Sequence, residues 1–268
     1  MLYLSRRVDF SAMHSYRIDD WSEDQNFKVF GPFSNQHGHG HDYQLEVMVK
    51  GDLVEKAGIV VNTVDIKRIV GGFVEEELDG KYLNMEHDYF KKNIPTTENI
   101  VTYLWDMLGP KLENCTLHRL KLHENSHLYA EKGEEDLVTL TRKYHFSAAH
   151  RLHSEQLTEE ENTRLFGKCN NPFGHGHNYY LEVSVQGEPD PVTGMITDLD
   201  DLDNTVESVV LSEFDHKHLN LDTKWFAGLN PTSEVVAKVI YNMLKPLLPN
   251  LHKIGLWETE KNYFEYAG

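Results

Sequence analysis

A chain of 268 residues with 43 acidic against 26 basic side chains carries a formal charge of −17, which excludes broad binding to nucleic acid or anionic membrane, because both demand basic surface. Its 40% hydrophobic and 26% charged residues are those of a globular protein, long enough for two domains of about 130 residues each, and no run approaches the roughly 18 apolar residues of a membrane span. The N-terminal Met1-Leu-Tyr-Leu-Ser-Arg-Arg7 has no apolar core of signal-peptide length, so the expected location is cytoplasmic. Two cysteines, Cys115 and Cys169, are too few for a disulfide framework.

In chain order, Phe10-Ser-Ala-Met-His14 comes first. Gly38-His-Gly-His-Asp-Tyr43 then leads into Tyr43–Val49, whose alternation of apolar and polar residues predicts a strand. Asp65–Leu78 has helical spacing and runs into Leu78-Asp-Gly-Lys-Tyr-Leu-Asn84. Pro95-Thr-Thr-Glu98 opens a second helix over Asn99–Leu108, proline and an early carboxylate suiting a helix N-terminus. Leu117–Glu124 reads as a strand. Beyond the polar Glu131-Lys-Gly-Glu-Glu-Asp136 the order starts again.

Phe146-Ser-Ala-Ala-His150, Gly174-His-Gly-His-Asn-Tyr179, Phe214-Asp-His-Lys-His-Leu-Asn220 and Pro231-Thr-Ser-Glu234 match the earlier strings at one constant offset of 136, and Glu258 matches Glu124 at 134. Tyr179–Val185 and Lys253–Glu258 are the matching strands; Leu199–Phe214 and Val235–Leu247 are the matching helices. The chain is therefore a duplicated domain, 1–135 and 136–268, each half β-β-α-α-β-β. The class is α+β, a helix layer on one face of an antiparallel sheet whose open edges favour assembly.

Residues two apart on a strand share a face, so His175 and His177 point one way, with Gly176 between them leaving backbone room and His150 as a third ligand. His14, His39 and His41 repeat the trio. Three neutral imidazoles suit zinc and leave a fourth position open, the catalytic pattern. His37 has Phe173 as its counterpart and is a bystander.

The halves diverge at the proton-transfer groups. Cys169 is matched by Phe33, and Asp215-His216 by Asp79-Gly80. Thiol, imidazole and carboxylate make the set that activates a sulfur; Cys115 has no such neighbours and reads as structural. Glu258 continues the parity of the apolar Ile254 and Leu256. A carboxylate aimed at an interior needs a partner, and the paired N–H groups of an amidine-like heterocycle suit one.

These residues carry a resemblance. Over nearly its whole length the second half is similar to the 6-pyruvoyl-tetrahydropterin synthase family, through Phe146-Ser-Ala-Ala-His-Arg-Leu152, Leu165-Phe-Gly-Lys-Cys-Asn-Asn-Pro-Phe-Gly-His-Gly-His-Asn-Tyr179, Asp190-Pro-Val-Thr-Gly-Met195, Asp215-His-Lys-His-Leu219 and Glu258-Thr259; the first half resembles it through His14, His39, His41, Pro95–Glu98 and Glu124. The resemblance implies a tunnelling fold, in which three such units close a twelve-stranded barrel and two barrels stack. It implies a carbon–oxygen lyase that converts 7,8-dihydroneopterin triphosphate to 6-pyruvoyl-tetrahydropterin and triphosphate. Zinc would sit on His150, His175 and His177, Cys169 would transfer protons with Asp215 and His216, and Glu258 would hold the pterin with Thr232 and Glu234. Magnesium would accompany the triphosphate.

In the resembled family the cysteine comes from one subunit and the Asp-His pair from its neighbour. The expectation is therefore that second halves form one barrel and first halves another, in a trimer of tandem chains that mimics a hexamer. 6-Carboxy-tetrahydropterin synthase, of the deazapurine and queuosine pathway, is the rival reading; the longer Cys-to-His spacing favours the pyruvoyl reaction. A non-catalytic pterin- or metal-binding protein fits the first half and poorly fits the second.

Overall fold

The computed structural model describes every residue from Met1 to Gly268. Its strands are β1 (Leu2–His14), β2 (His39–Gly51), β3 (Thr116–Asn125), β4 (Leu128–Gly133), β5 (Val138–His150), β6 (His175–Gly187), β7 (Lys217–His218), β8 (Leu251–Thr259) and β9 (Asn262–Tyr266). Its main helices are α1 (Glu23–Phe30), α2 (Thr63–Glu77), α3 (Thr97–Leu108), α4 (Glu159–Phe166), α5 (Leu199–Val206) and α6 (Ser233–Leu244). The sheet order is β1-β2-β3-β4-β5-β6-β8-β9, with β7 beside β5.

The pattern behind the strands is period two. Along β2, Tyr43, Leu45, Val47 and Val49 are buried, while the residues between them are half-buried or exposed. Two helices do not follow from apolar periodicity, α1 and α4, each lying between a first strand and a His-x-His. Both carry a capping box: the Ser22 side chain accepts from the Gln25 N–H and Gln25 answers the Ser22 N–H, and Thr158 and Glu161 do the same. The signal is present as Ser-x-x-Gln and Thr-x-x-Glu. The helical stretch Leu199–Phe214 also departs from a plain α-helix, widening to π geometry over Glu207–Leu211. There the Ser208 and Ser212 hydroxyls donate to the carbonyls of Asn204 and Ser208 at 2.7 Å, competing with the helix's own ladder.

Two compact units form, Met1–Thr141 with Gln186–Asp200, and Arg142–Val185 with Asp201–Gly268. In the first, α2 buries Ile66, Val70, Phe73 and Val74, and α3 buries Ile100, Val101, Leu104 and Leu108, among the buried sheet residues Leu45, Val47, Leu120 and Leu122. The loop Asp190–Ile196 belongs to this unit: Thr96 Oγ1 donates to the Gly194 carbonyl at 2.7 Å, and the Ile196 N–H donates to Glu98 at 3.2 Å. In the second unit one continuous cluster runs through Phe146, Tyr179, Leu181, Val183, Val210, Phe214, Val236, Ile240 and Leu256. No helix is long and apolar enough to cross a membrane.

Candidate metal centre and active site

Antiparallel register assembles the first histidine trio. His14, the last residue of β1, lies opposite His39, the first of β2, and Ala12 lies opposite His41, so all three rings fall on one face at the open end of the hairpin. His150 likewise ends β5 and His175 begins β6, and the rings of His150, His175 and His177 come together with centroids 4.6–5.2 Å apart. Within each trio the ligand nitrogens lie within 4.8 Å of one another. In the second, His150 Nε2 and His175 Nε2 are 3.2 Å apart, close to the roughly 3.3 Å that tetrahedral ligation at about 2.0–2.1 Å imposes.

The tautomers suit a metal. His14 Nδ1 donates to the Pro95 carbonyl and His150 Nδ1 to that of Pro231, each at 2.8 Å, which turns Nε2 inward with a free lone pair. Burial lowers both rings to a pKa of about 4 against the partial opposition of nearby groups, and burial followed by the neighbouring histidine lowers His39 and His175. Neutral imidazole is the ligating form. His41 Nε2 and His177 Nε2 are buried without a hydrogen-bond partner; Glu124 Oε1 is 3.4 Å from the first and Glu258 Oε1 3.9 Å from the second, without hydrogen-bond alignment. Orphaned buried nitrogens aimed at a common point fit a cation.

The carboxylates are placed alike but partnered differently. Glu258 Oε1 accepts from Ser233 Oγ at 2.7 Å, and its side chain keeps 16% of its exposure. Glu124 is fully enclosed; its Oε2 accepts from Thr97 Oγ1 at 2.5 Å and from the Tyr16 phenol at 3.1 Å. Ser233, Thr97 and Tyr16 were not singled out by sequence reasoning, although Ser233 and Thr97 are matched residues at the helix starts.

Cys169 lies half-buried in the tight turn Gly167–Asn170 after α4. Its backbone carbonyl accepts from the Leu152 N–H at 2.9 Å, but no hydrogen bond joins its thiol to Asp215 or His216. Those two are paired, Nδ1 to Oδ2 at 2.8 Å, and Asp215 also accepts the Ser147 N–H at 2.8 Å. That backbone bond first, and His216 second, hold the Asp215 carboxyl below its usual range. The His216 backbone has φ 56°, the left-handed region that Gly80 occupies at φ 73° in the matching turn; both N–H groups donate at 2.7 Å to a β-strand serine carbonyl, Ser147 and Ser11. A histidine where glycine would be unstrained is a cost of about 1–2 kcal/mol.

The family model described as 6-pyruvoyl tetrahydropterin synthase matches residues 3–135 and again 139–268. The chain belongs to that family. Its α+β architecture of two β-β-α-α-β-β repeats is the family's tunnelling fold. A 6-pyruvoyl tetrahydrobiopterin synthase of Homo sapiens is 47% identical over 138 residues, 51% of this chain and 95% of the relative. A dihydroneopterin monophosphate aldolase of Pyrococcus furiosus is 32% identical over 126 residues, 47% of this chain and 91% of the relative. The solved 6-pyruvoyl tetrahydropterin synthase of Caenorhabditis elegans is 46% identical with a TM-score of 0.48, covering 49% of this chain and 96% of that one.

Against the family's pattern the remaining expected residues fall unevenly. Thr232 precedes α6 as its N-cap residue, without a side-chain capping bond. Glu234 is exposed, whereas its counterpart Glu98 is buried beneath Ile196, and burial raises Glu98 to a pKa of about 7. His37 is exposed and outside the first trio. Cys115 is half-buried, and burial raises its thiol.

Proposed function

We propose that this chain is a zinc-dependent 6-pyruvoyl-tetrahydropterin synthase whose chemistry is confined to the second repeat. It would act as a carbon–oxygen lyase, converting 7,8-dihydroneopterin triphosphate to 6-pyruvoyl-tetrahydropterin and triphosphate. The observation that carries this is the difference between the repeats: only the second has, with its histidine trio, a cysteine, an Asp-His pair and a carboxylate still partly exposed.

His150, His175 and His177 would hold the zinc, which supplies Lewis acidity to the substrate's side-chain hydroxyls. Glu258, set by Ser233, would accept the two N–H groups at the amidine edge of the pterin; Thr232 would line the same pocket, and Glu234 would join it once covered. Cys169 would move protons at the substrate's side chain, with the Asp215–His216 pair of another copy as the relay. The net change is elimination of triphosphate with internal redistribution of hydrogen, so no external oxidant or reductant is needed. Magnesium would accompany the triphosphate.

A homo-oligomer follows from the same reading. The α6 N-terminus leaves Glu234 exposed, while Leu53, Val54 and Ile59, on the loop matching Gly187–Met195, are exposed apolar residues. A second copy would cover both, in the way that Asp190–Ile196 covers α3. Three tandem chains mimicking a hexamer, second halves in one barrel and first halves in the other, would supply those copies.

The test is a product assay on 7,8-dihydroneopterin triphosphate. Release of triphosphate with 6-pyruvoyl-tetrahydropterin is expected; acetaldehyde with 6-carboxy-tetrahydropterin would overturn the assignment in favour of the carboxy enzyme. Absence of turnover with retained pterin binding would make the chain a binding protein.

A further inference from the structure

We propose that Tyr16 is a built-in occupant of the first repeat's heterocycle pocket, its phenol standing at Glu124 where a pterin would otherwise bind. This rests on reading Glu258 as the pterin anchor, since Glu124 is its counterpart. Position 16 matches Leu152, which is half-buried and apolar and offers the carboxylate nothing. Tyr16 is 1% exposed.

Its hydroxyl lies 3.1 Å from Glu124 Oε2 and accepts the Thr97 N–H at 3.2 Å. A phenol facing a carboxylate oxygen at that distance donates to it. With Thr97 Oγ1 on the same oxygen, Glu124 Oε2 is satisfied from within the repeat. A flat ring presenting an O–H edge to a carboxylate is the arrangement that the N–H edge of a pterin would make.

The ring is also held on its faces. It stacks on Phe33 with centroids 5.4 Å apart and 22° between planes, and meets His14 edge-on at 5.1 Å. Phe33 stands where the second repeat has Cys169. The loss of the thiol and the gain of the plug are thus one packed pair, and the histidine trio beside them is left in place. The first repeat keeps a cation site while its organic pocket is filled.

Calorimetric titration of the metal-loaded full chain with 7,8-dihydroneopterin tests this. Wild type is expected to bind one equivalent per chain, weakened at least about tenfold in Glu258→Gln. Tyr16→Leu, which installs the second repeat's residue, is expected to bind two, the added one lost in Tyr16→Leu/Glu124→Gln. Tyr16→Phe keeps the ring and should stay at one.

In the reciprocal direction, Leu152→Tyr should abolish the wild-type equivalent with metal content unchanged, a test independent of whether Tyr16→Leu folds. Two equivalents in wild type, no added equivalent in folded Tyr16→Leu, or full binding by Leu152→Tyr would each overturn the plug. No binding by wild type with one equivalent gained in Tyr16→Leu would support the plug while sinking the assignment of Glu258.

Discussion

His150 Nδ1 lies 2.8 Å from the carbonyl oxygen of Pro231, and this contact fixes which ring nitrogen faces the other two histidines. His14 and Pro95 repeat it at the same distance. Both trios are therefore set to hold a cation, and the expected content is two metal ions per chain. His177→Ala should lower this to one, and His177→Ala/His41→Ala to none, by elemental analysis after dialysis against a weak chelator. A wild-type content of one, with the ion lost in His177→Ala, would show that the first trio does not load.

Cys169 is expected to act in the chemical step and not in holding substrate. Cys169→Ala should lower kcat by about 10²- to 10⁴-fold, the usual range for removing a positioned proton-transfer group. Metal content and dihydroneopterin affinity should stay within a few-fold of wild type. A matched loss of affinity would assign the thiol to binding instead.

Replacing Glu258 should act the other way. Removing a charged hydrogen-bond acceptor costs about 1.5–3 kcal/mol, so Glu258→Gln should weaken pterin binding by roughly 10- to 150-fold. Because Ser233 holds the carboxylate, Ser233→Ala should weaken it by a smaller factor, read in the same titration.

His216 should trade stability for activity. Its φ of 56° is a glycine-like conformation, and His216→Gly, the residue of the first repeat, relieves strain of about 1–2 kcal/mol while raising unfolded-chain entropy by about 0.5–1 kcal/mol. Unfolding in urea should show the variant as stable as wild type or slightly more so, with turnover strongly reduced. Clear destabilisation would mean that the imidazole is kept for structure.

Glu98 supplies a pH signature for the first unit. Its pKa rises from 4.5 to about 7 on folding, chiefly through burial. The folded state therefore holds the proton more tightly. The resulting stability is fully present below the unfolded value near 4.5 and is lost as pH rises through about 7. The full effect is at most roughly 3 kcal/mol. Glu98→Gln, which keeps an acceptor for the Ile196 N–H, should remove it: the stability difference between variant and wild type should grow in the variant's favour from pH 5 to pH 8. A constant difference would place the Glu98 titration in its ordinary range.

Much of the candidate site was legible because strand geometry is local. A His-x-His places two rings on one face whatever surrounds it, and a constant offset of 136 shows the duplication without any fold. Phe33 against Cys169 and Gly80 against His216 are likewise readable as aligned letters. The capping boxes of α1 and α4 were local as well, and apolar periodicity passed over them because helices of eight residues show little more than two turns of pattern.

What only the tertiary structure decided lies between distant segments. Tyr16 and Glu124 are 108 residues apart, and in the sequence Tyr16 is one more aromatic residue after a strand. The burial of Glu98 depends on Ile196, 98 residues further on, while Glu234, its equal in the sequence, stays exposed. Neighbouring residues determine which way a side chain points from its strand. What meets it there is set by chain closure over long separations, and that is why two matched carboxylates end up differently, Glu124 enclosed beside Tyr16 and Glu258 still partly exposed.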